Sequence, residues 1–185
     1  TLVNSLSEQD TVDARYSVVN FADEGQVLVD WTKSSSYVKT VVNRLDPNGG
    51  TNYEDGLGVG QSQLNNAREG AQTILIFLTD GEPTFHNTRF GVEGGGSFTK
   101  ETTYEHSLNA ARSVSASQFY IIGLEMNSST DIYPDDTYVW TDSWGNTHFS
   151  REPSKTNVDV LQDMYNASAV KEKDKYNATT DDLSK

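Results

Sequence analysis

Two short polar segments hold the residues whose chemistry stands out. One runs Gly49-Gly50-Thr51-Asn52-Tyr53-Glu54-Asp55-Gly56-Leu57; the other, Thr79-Asp80-Gly81-Glu82-Pro83-Thr84, follows directly on the apolar run Ile74-Leu75-Ile76-Phe77-Leu78. Thr51 offers a hydroxyl in a loop held open by two glycines, and Asp80 offers a carboxylate at a strand end. Both are hard oxygen donors, the ligand type that Mg²⁺ and Ca²⁺ take, and Mg²⁺ seeks six oxygens at about 2.0–2.1 Å, usually including waters. Glu54, Asp55 and Glu82 surround these loops, either as a solvated acidic rim or as groups that orient water. Each candidate also has an ordinary structural role: Thr51 as a helix N-cap, Asp80 as a turn-forming residue.

The elements that must position these residues follow from apolar spacing. A short apolar run bounded by turn residues, here 73–79, reads as a strand buried on both faces of a parallel sheet. Open α/β sheets put their ligands beyond the carboxyl ends of such strands, where Asp80 falls. Ahead of it, the β-rich runs 14–23 and 26–32 are joined by Asp23-Glu24-Gly25, a hairpin spacing. A short helix follows the serines 34–36, with Tyr37, Val38, Val41, Val42 and Leu45 as its apolar positions. A second helix over 53–68 carries Leu57, Leu64 and Ala67 on one side, with Gly56, Gly58 and Gly60 allowing close packing on a sheet.

Beyond Asp80 the pattern predicts a polar, glycine-rich loop over 83–100, then a helix over 102–117 with Tyr104, Leu108, Ala111 and Val114 on one face. A buried strand over 119–125, a helix over 158–168, a short edge strand over 174–179 and the start of a last helix over 179–185 complete it. Residues 1–10, with Leu2, Val3 and Leu6, read as the last turns of an amphipathic helix. Residues 127–157 are irregular and rich in aromatics, too long for a simple connection, and read as an inserted arm or flap. Strands alternating with helices argue for an α/β sheet with an antiparallel edge.

At 185 residues the chain suits a single domain over 1–185. Fourteen Lys and Arg against 27 Asp and Glu give a net charge of −13, which disfavours nucleic acid or an anionic membrane as partner. The absence of cysteine excludes disulfides, thiolate metal sites and cysteine nucleophiles. No run approaches the roughly 18 apolar residues of a membrane span, so no membrane insertion by this chain is expected. The first residue is Thr1 rather than Met, as expected of a processed or excised piece.

In this order, Gly-Gly-Thr-Asn, a helix, a buried strand and Thr-Asp-Gly-Glu-Pro resemble the second and third metal-coordinating loops of a von Willebrand factor A (vWA) domain. The resemblance extends over nearly the whole chain outside the aromatic insert. It implies a doubly wound, mostly parallel, Rossmann-like sheet with an antiparallel edge strand. It also implies a metal-ion-dependent adhesion site (MIDAS) holding Mg²⁺, with Mn²⁺ or Ca²⁺ as alternatives. Thr51 and Asp80 match that site's threonine and second aspartate, and an acidic group of the partner completes the shell.

The composition, cysteine-free and rich in Thr, Asn and Asp, resembles the subgroup found in Gram-positive pilus-tip and cell-wall adhesins. That resemblance implies an extracellular, cell-surface location and a host matrix or surface protein, or pilus subunits, as partner. The family's first loop, Asp-x-Ser-x-Ser on its first strand, does not occur in this sequence. Since that strand is central in the family, the expectation is an N-terminally incomplete sheet with a gap in its ladder. The metal site is then incomplete until residues upstream of Thr1, or on another chain, supply the loop.

Two other readings stand beside the adhesion module: a structural vWA scaffold with a vestigial site, and an α/β enzyme. The enzyme is disfavoured, because neither Gly-x-Ser-x-Gly nor His-Glu-x-x-His is present and no nucleophile–base pair can be assembled. Gly56-Leu57-Gly58-Val59-Gly60 has no strand before it and lacks the last glycine of a dinucleotide loop. Asp46-Pro47-Asn48-Gly49-Gly50 has Thr51 where an EF-hand needs glycine. His86, His106 and His148 lack ligand spacing and are expected to be solvent-exposed or hydrogen-bonded.

Overall fold

The computed structural model describes residues 13–46, 48–124, 129–171 and 175–179. The first elements are an antiparallel hairpin, β1 (Tyr16–Phe21) and β2 (Gly25–Thr32), paired from Tyr16↔Thr32 to Phe21↔Gly25. Helix α1 (Ser35–Val42) opens on Ser34, whose hydroxyl accepts from the Tyr37 N–H. Of its apolar positions Val38 is buried, whereas Tyr37, Val42 and Leu45 stay exposed. Helix α2 (Tyr53–Asn65) and strand β3 (Ile74–Thr79) follow, each ending inside its expected range.

The stretch 83–100 is not a loop. It forms the hairpin β4 (Phe85–Thr88) and β5 (Gly91–Gly94), then β6 (Thr99–Lys100). Polar side chains hide the strand pattern, and the turn is closed by the Thr88 hydroxyl donating to the Gly91 carbonyl, with Gly91 at φ 127°. Helix α3 (Glu101–Ser113) leads to β7 (Gln118–Gly123). The supposedly irregular stretch 127–157 is also built of strands: β8 (Thr130–Tyr133), β9 (Val139–Thr141), β10 (Thr147–Phe149) and β11 (Lys155–Val158). Backbone donors and acceptors in a packed segment need partners. Here β9 and β10 pair with each other, while β8 lies between β11 and β6. The β9–β10 turn is set by Asp142, whose carboxylate accepts from the Trp144 and Asn146 N–H groups. Helix α4 (Val160–Ala167) and β12 (Lys175–Thr179) close the order.

The central sheet is parallel, in the order β12-β7-β3, with register from Ile74↔Gln118 to Thr79↔Gly123. Its core holds Phe77, Phe119 and Ile121 of the strands with Tyr53 and Leu57 of α2, Ala111 of α3 and Met164 of α4. Phe21 extends this core from the hairpin, stacking on Phe77 at 5.1 Å. The expected helix face Tyr104, Ala111 and Val114 is buried, with Leu108 packed at its margin.

Strand β3 departs from expectation. Phe77 and Thr79 are buried, but Ile74, Ile76 and Leu78 are 40–46% exposed. Among the described residues β3 ladders with β7 alone, and the β1–β2 hairpin forms a separate two-stranded sheet on its other side. Among the described residues the second edge of β3 is therefore unpaired, as the expected gap requires, and the face carrying Ile74, Ile76 and Leu78 is separately left uncovered. Within α2, Gly56 and Gly60 do permit close packing: an added methyl would lie 2.7 Å from the Phe21 ring and 3.2 Å from Leu75. Gly58 instead faces open space. The helical readings of 1–10 and 179–185 lie outside the described residues, apart from Thr179, which ends β12.

The aromatic stretch 130–149 is anchored by ring packing. Tyr133 stacks on Phe149 at 4.4 Å, and Phe98, just before β6, meets both rings edge-on. Tyr138, Trp140 and Trp144 remain exposed at its tip.

Candidate functional site

The two candidate loops adjoin at the carboxyl end of β3. The main chain of Thr51 is clamped: its N–H donates to the Thr84 hydroxyl at 3.0 Å, and its carbonyl accepts from the N–H groups of Thr84 and Phe85 at 2.8 and 3.1 Å. Its own hydroxyl oxygen lies only 3.4 Å from where a Cβ on Gly81 would stand. The Thr51 hydroxyl therefore sits against the Thr79-Asp80-Gly81 turn. A third tie is the Tyr53 hydroxyl, which donates to the Gly81 carbonyl at 2.5 Å.

Both ordinary roles considered for Thr51 and Asp80 are filled by their neighbours. The N-cap of α2 is Asn52, whose side-chain oxygen accepts from the Asp55 N–H at 3.0 Å. The turn after β3 is held by Thr79, whose hydroxyl donates to the Gly81 carbonyl at 3.0 Å. Asp80 itself is exposed, and among the described residues its carboxylate accepts no hydrogen bond. Thr51 Oγ1 and the Asp80 carboxylate are thus left with unspent donor capacity on adjoining loops. They are hard oxygens, the donor type that suits Mg²⁺. Among the described residues no cluster of three His, Cys, Asp or Glu could hold a metal ion.

The surrounding carboxylates have structural work. Asp23 accepts from the Gly50 N–H at 2.5 Å and so fixes the Gly49-Gly50 turn. Glu54 accepts from the Asn87 N–H at 2.7 Å and contacts His106 Nδ1 at 2.8 Å. Asp55 accepts from the Gly25 N–H and from Asn87 Nδ2. Glu82 accepts from the Thr130 hydroxyl, tying the turn to β8. Glu54, Asp55 and Glu82 are accordingly not a free acidic rim.

The residue sequence reasoning missed is Asn52. It is fully buried, and its amide donates to the Asp23 carbonyl and to Asn87 Oδ1, both at 2.9 Å. Its position three residues ahead of an acid at a helix start is a capping signal, overshadowed by the hydroxyl beside it. Burial, with the negative charges of Glu82 and Asp80 adding to it, pushes the Tyr53 hydroxyl far above the ordinary phenol range, so it stays a donor. His86 is buried and bonded to Thr103 Oγ1 at 2.9 Å. His106 and His148 pair with Glu54 and Asp142. All three histidines are hydrogen-bonded, as expected.

Residues 1–82 match the family model of the von Willebrand factor type A domain, and the chain has the fold of that domain. It superposes with TM-score 0.58 and 12% identity on the vWF domain of the type V pili tip protein Mfa5 from Porphyromonas gingivalis, covering 98% of this chain and 79% of that one. With BatB, a conserved hypothetical protein from Bacteroides thetaiotaomicron, the TM-score is 0.53 at 18% identity, over 96% and 76% of the two chains. With a mutant of the PilB minor pilin from Streptococcus sanguinis it is 0.59 at 12% identity, over 96% of this chain and 47% of that one. No curated protein sequence matches the chain.

Proposed function

We propose that this chain is a non-enzymatic protein-interaction module of the cell surface. In this reading a divalent cation held through the Thr51 hydroxyl and the Asp80 carboxylate receives an acidic side chain of the partner. The observation that carries the reading is the division of labour at the two loops. Asn52 and Thr79 do the capping and turn-forming, which leaves Thr51 and Asp80 available beside one another. Mg²⁺ is the expected ion, with Mn²⁺ or Ca²⁺ as substitutes. Bound there, it would act as a Lewis acid toward an incoming carboxylate, with few protein charges to quench it. The likeness to pilus proteins supports surface location and protein partners, either pilus subunits or a host matrix or surface protein. Among the described residues no helix is long and apolar enough to cross a membrane.

The test is titration of Mn²⁺ into the domain completed by its first strand and Asp-x-Ser-x-Ser loop, read by the relaxation enhancement of solvent water. Saturable binding that EDTA abolishes, and that Asp80→Ala weakens at least tenfold, supports the cation reading. Absence of any saturable Mn²⁺ binding overturns it. The second reading, a structural scaffold with a vestigial site, is favoured by the commitment of Asp23, Glu54, Asp55 and Glu82 to internal hydrogen bonds. It predicts partner contacts that survive chelation.

A further inference from the structure

The β9–β10 hairpin carries rings that the protein itself does not cover. Trp144 is 88% exposed, Tyr138 66% and Trp140 46%. Large rings gathered on one surface are informative, because each forgoes the gain of burial. Their backbone is firmly held. Trp140 stands opposite His148 in the ladder and stacks on its imidazole at 5.3 Å, with Tyr138 beside it at 5.7 Å. Trp144 sits in the turn, where Gly145 takes φ 85°. There the Gly145 N–H donates to the Asp142 carbonyl at 3.1 Å, and the Asp142 N–H to the Asn146 carbonyl at 2.9 Å. The hairpin is thus set before any partner arrives, which lowers the ordering cost of a contact.

Charge and hydrogen bonding narrow the choice of occupant. Residues 130–152 hold five carboxylates, Asp131, Asp135, Asp136, Asp142 and Glu152, against one guanidinium, Arg151, which is itself paired with Asp136. This local excess, in a chain of net charge −13, repels a second copy, nucleic acid and an anionic membrane. A sugar needs polar groups beside the rings to grip its hydroxyls. The carboxylate and amide best placed for that are spent: Asp142 accepts from the N–H groups of Trp144 and Asn146, from Asn146 Nδ2 and from His148 Nε2. What remains is the electron-rich face of each ring in a negative field, a combination that attracts cations. Elsewhere the protein fills such faces itself, with Arg89 over Phe90 at 4.4 Å and Lys155 over Tyr104 at 4.5 Å. Among the described residues no Lys or Arg stands over Tyr138, Trp140 or Trp144. We propose that the β9–β10 hairpin is a docking surface for a basic segment of a partner protein, whose arginine side chains stack on Tyr138, Trp140 and Trp144. Arginine suits the surface better than lysine, because its guanidinium is planar and weakly hydrated. The carboxylates around the hairpin steer the segment in.

The experiment follows the indole N–H resonances of the ¹⁵N-labelled domain, completed by its first strand, as the peptide acetyl-Gly-Arg-Ser-Gly-Arg-Ser-Gly-Arg-Gly-amide is added. Saturable shifts are expected at Trp140 and Trp144. Trp31, whose indole donates to the Gln63 carbonyl at 3.1 Å within the fold, should not move. Replacing both Trp140→Ala and Trp144→Ala should weaken binding about tenfold, as loss of two cation–π contacts requires. The same peptide with citrulline at each arginine keeps the shape and loses the charge. It should bind about tenfold more weakly or worse, and it keeps the test decisive if the double variant does not fold. EDTA should leave binding unchanged, which separates this surface from a cation at Thr51 and Asp80: failure of either reading leaves the other standing. No shift at millimolar peptide would overturn the proposal. So would equal binding of the citrulline peptide, equal binding by the double variant, or loss of binding in EDTA. Tighter binding of cellohexaose than of the arginine peptide would assign the rings to a neutral glycan and overturn it as well.

Discussion

The Tyr53 hydroxyl donates to the Gly81 carbonyl at 2.5 Å, joining the first turn of α2 to the turn that follows β3. Tyr53 is fully buried, and its ring lies edge-on to Phe77 at 4.9 Å. One side chain therefore fixes both candidate loops against the same core, and the spacing between Thr51 and Asp80 depends on it. Tyr53→Phe keeps the ring and removes the donor, leaving the Gly81 carbonyl with only the Thr79 hydroxyl. The expected cost is about 1–2 kcal/mol, seen as a melting temperature lower by roughly 2–8 °C. An unchanged melting curve would show that the bond contributes nothing to loop position.

Asn52 and Thr51 are neighbours with opposite expected sensitivities. Asn52→Ala removes the cap of α2 and the amide that holds Asp23 and Asn87 in a buried setting. The expected loss is about 1–3 kcal/mol, from a cap and from two partly buried hydrogen bonds. Thr51→Ala removes a hydroxyl that does no capping and should change stability by less than about 0.5 kcal/mol. Chemical denaturation of the two variants checks the contrast, and equal losses would return the capping role to Thr51.

Two glycines two residues apart on α2 should respond with opposite signs. At Gly56 an added methyl would lie 2.7 Å from the Phe21 ring, so Gly56→Ala should destabilise by about 1–3 kcal/mol through overpacking. At Gly58 nothing lies within 4 Å, and Gly58→Ala should stabilise the helix by about 0.5–1 kcal/mol. Urea midpoints of both variants decide the matter.

Stability should also fall in mild acid through His86. Burial, and next the neighbouring His106, hold its imidazole below the ordinary value of 6.5. The unfolded chain therefore takes up a proton that the folded chain resists, and this stabilisation is intact above pH 6.5 and lost as pH falls below it. The melting temperature should be flat between pH 8 and pH 7 and then decline below pH 6.5. His86→Gln should flatten that part of the profile. A decline of equal size in the variant would assign it to other groups.

Much of the site's address was readable before any coordinates. The apolar run ending in Thr79-Asp80 and the Gly-Gly-Thr-Asn turn marked the two loops because hydrophobic runs and glycine turns are local signals. An α/β sheet followed from alternation of strands and helices, and 174–179 read as a short edge strand, the place β12 takes beside β7. Residues 83–100 and 127–157 were misread because their strands are short and polar. β4 with β5 and β9 with β10 pair as local hairpins of polar residues, while β6 with β8 and β8 with β11 pair across longer separations.

The amino-acid sequence by itself determined the elements, the order in which they occur, and the presence of oxygen donors at the ends of two of them. Only the tertiary structure decided which of those oxygens are already engaged. Asn52 and Thr79 take the capping and turn roles, and Asp23, Glu54, Asp55 and Glu82 are drawn into bonds with residues 25 or more positions away. Hydrogen bonding is settled by proximity in space, and a linear pattern of residue types carries no record of which partner arrives first.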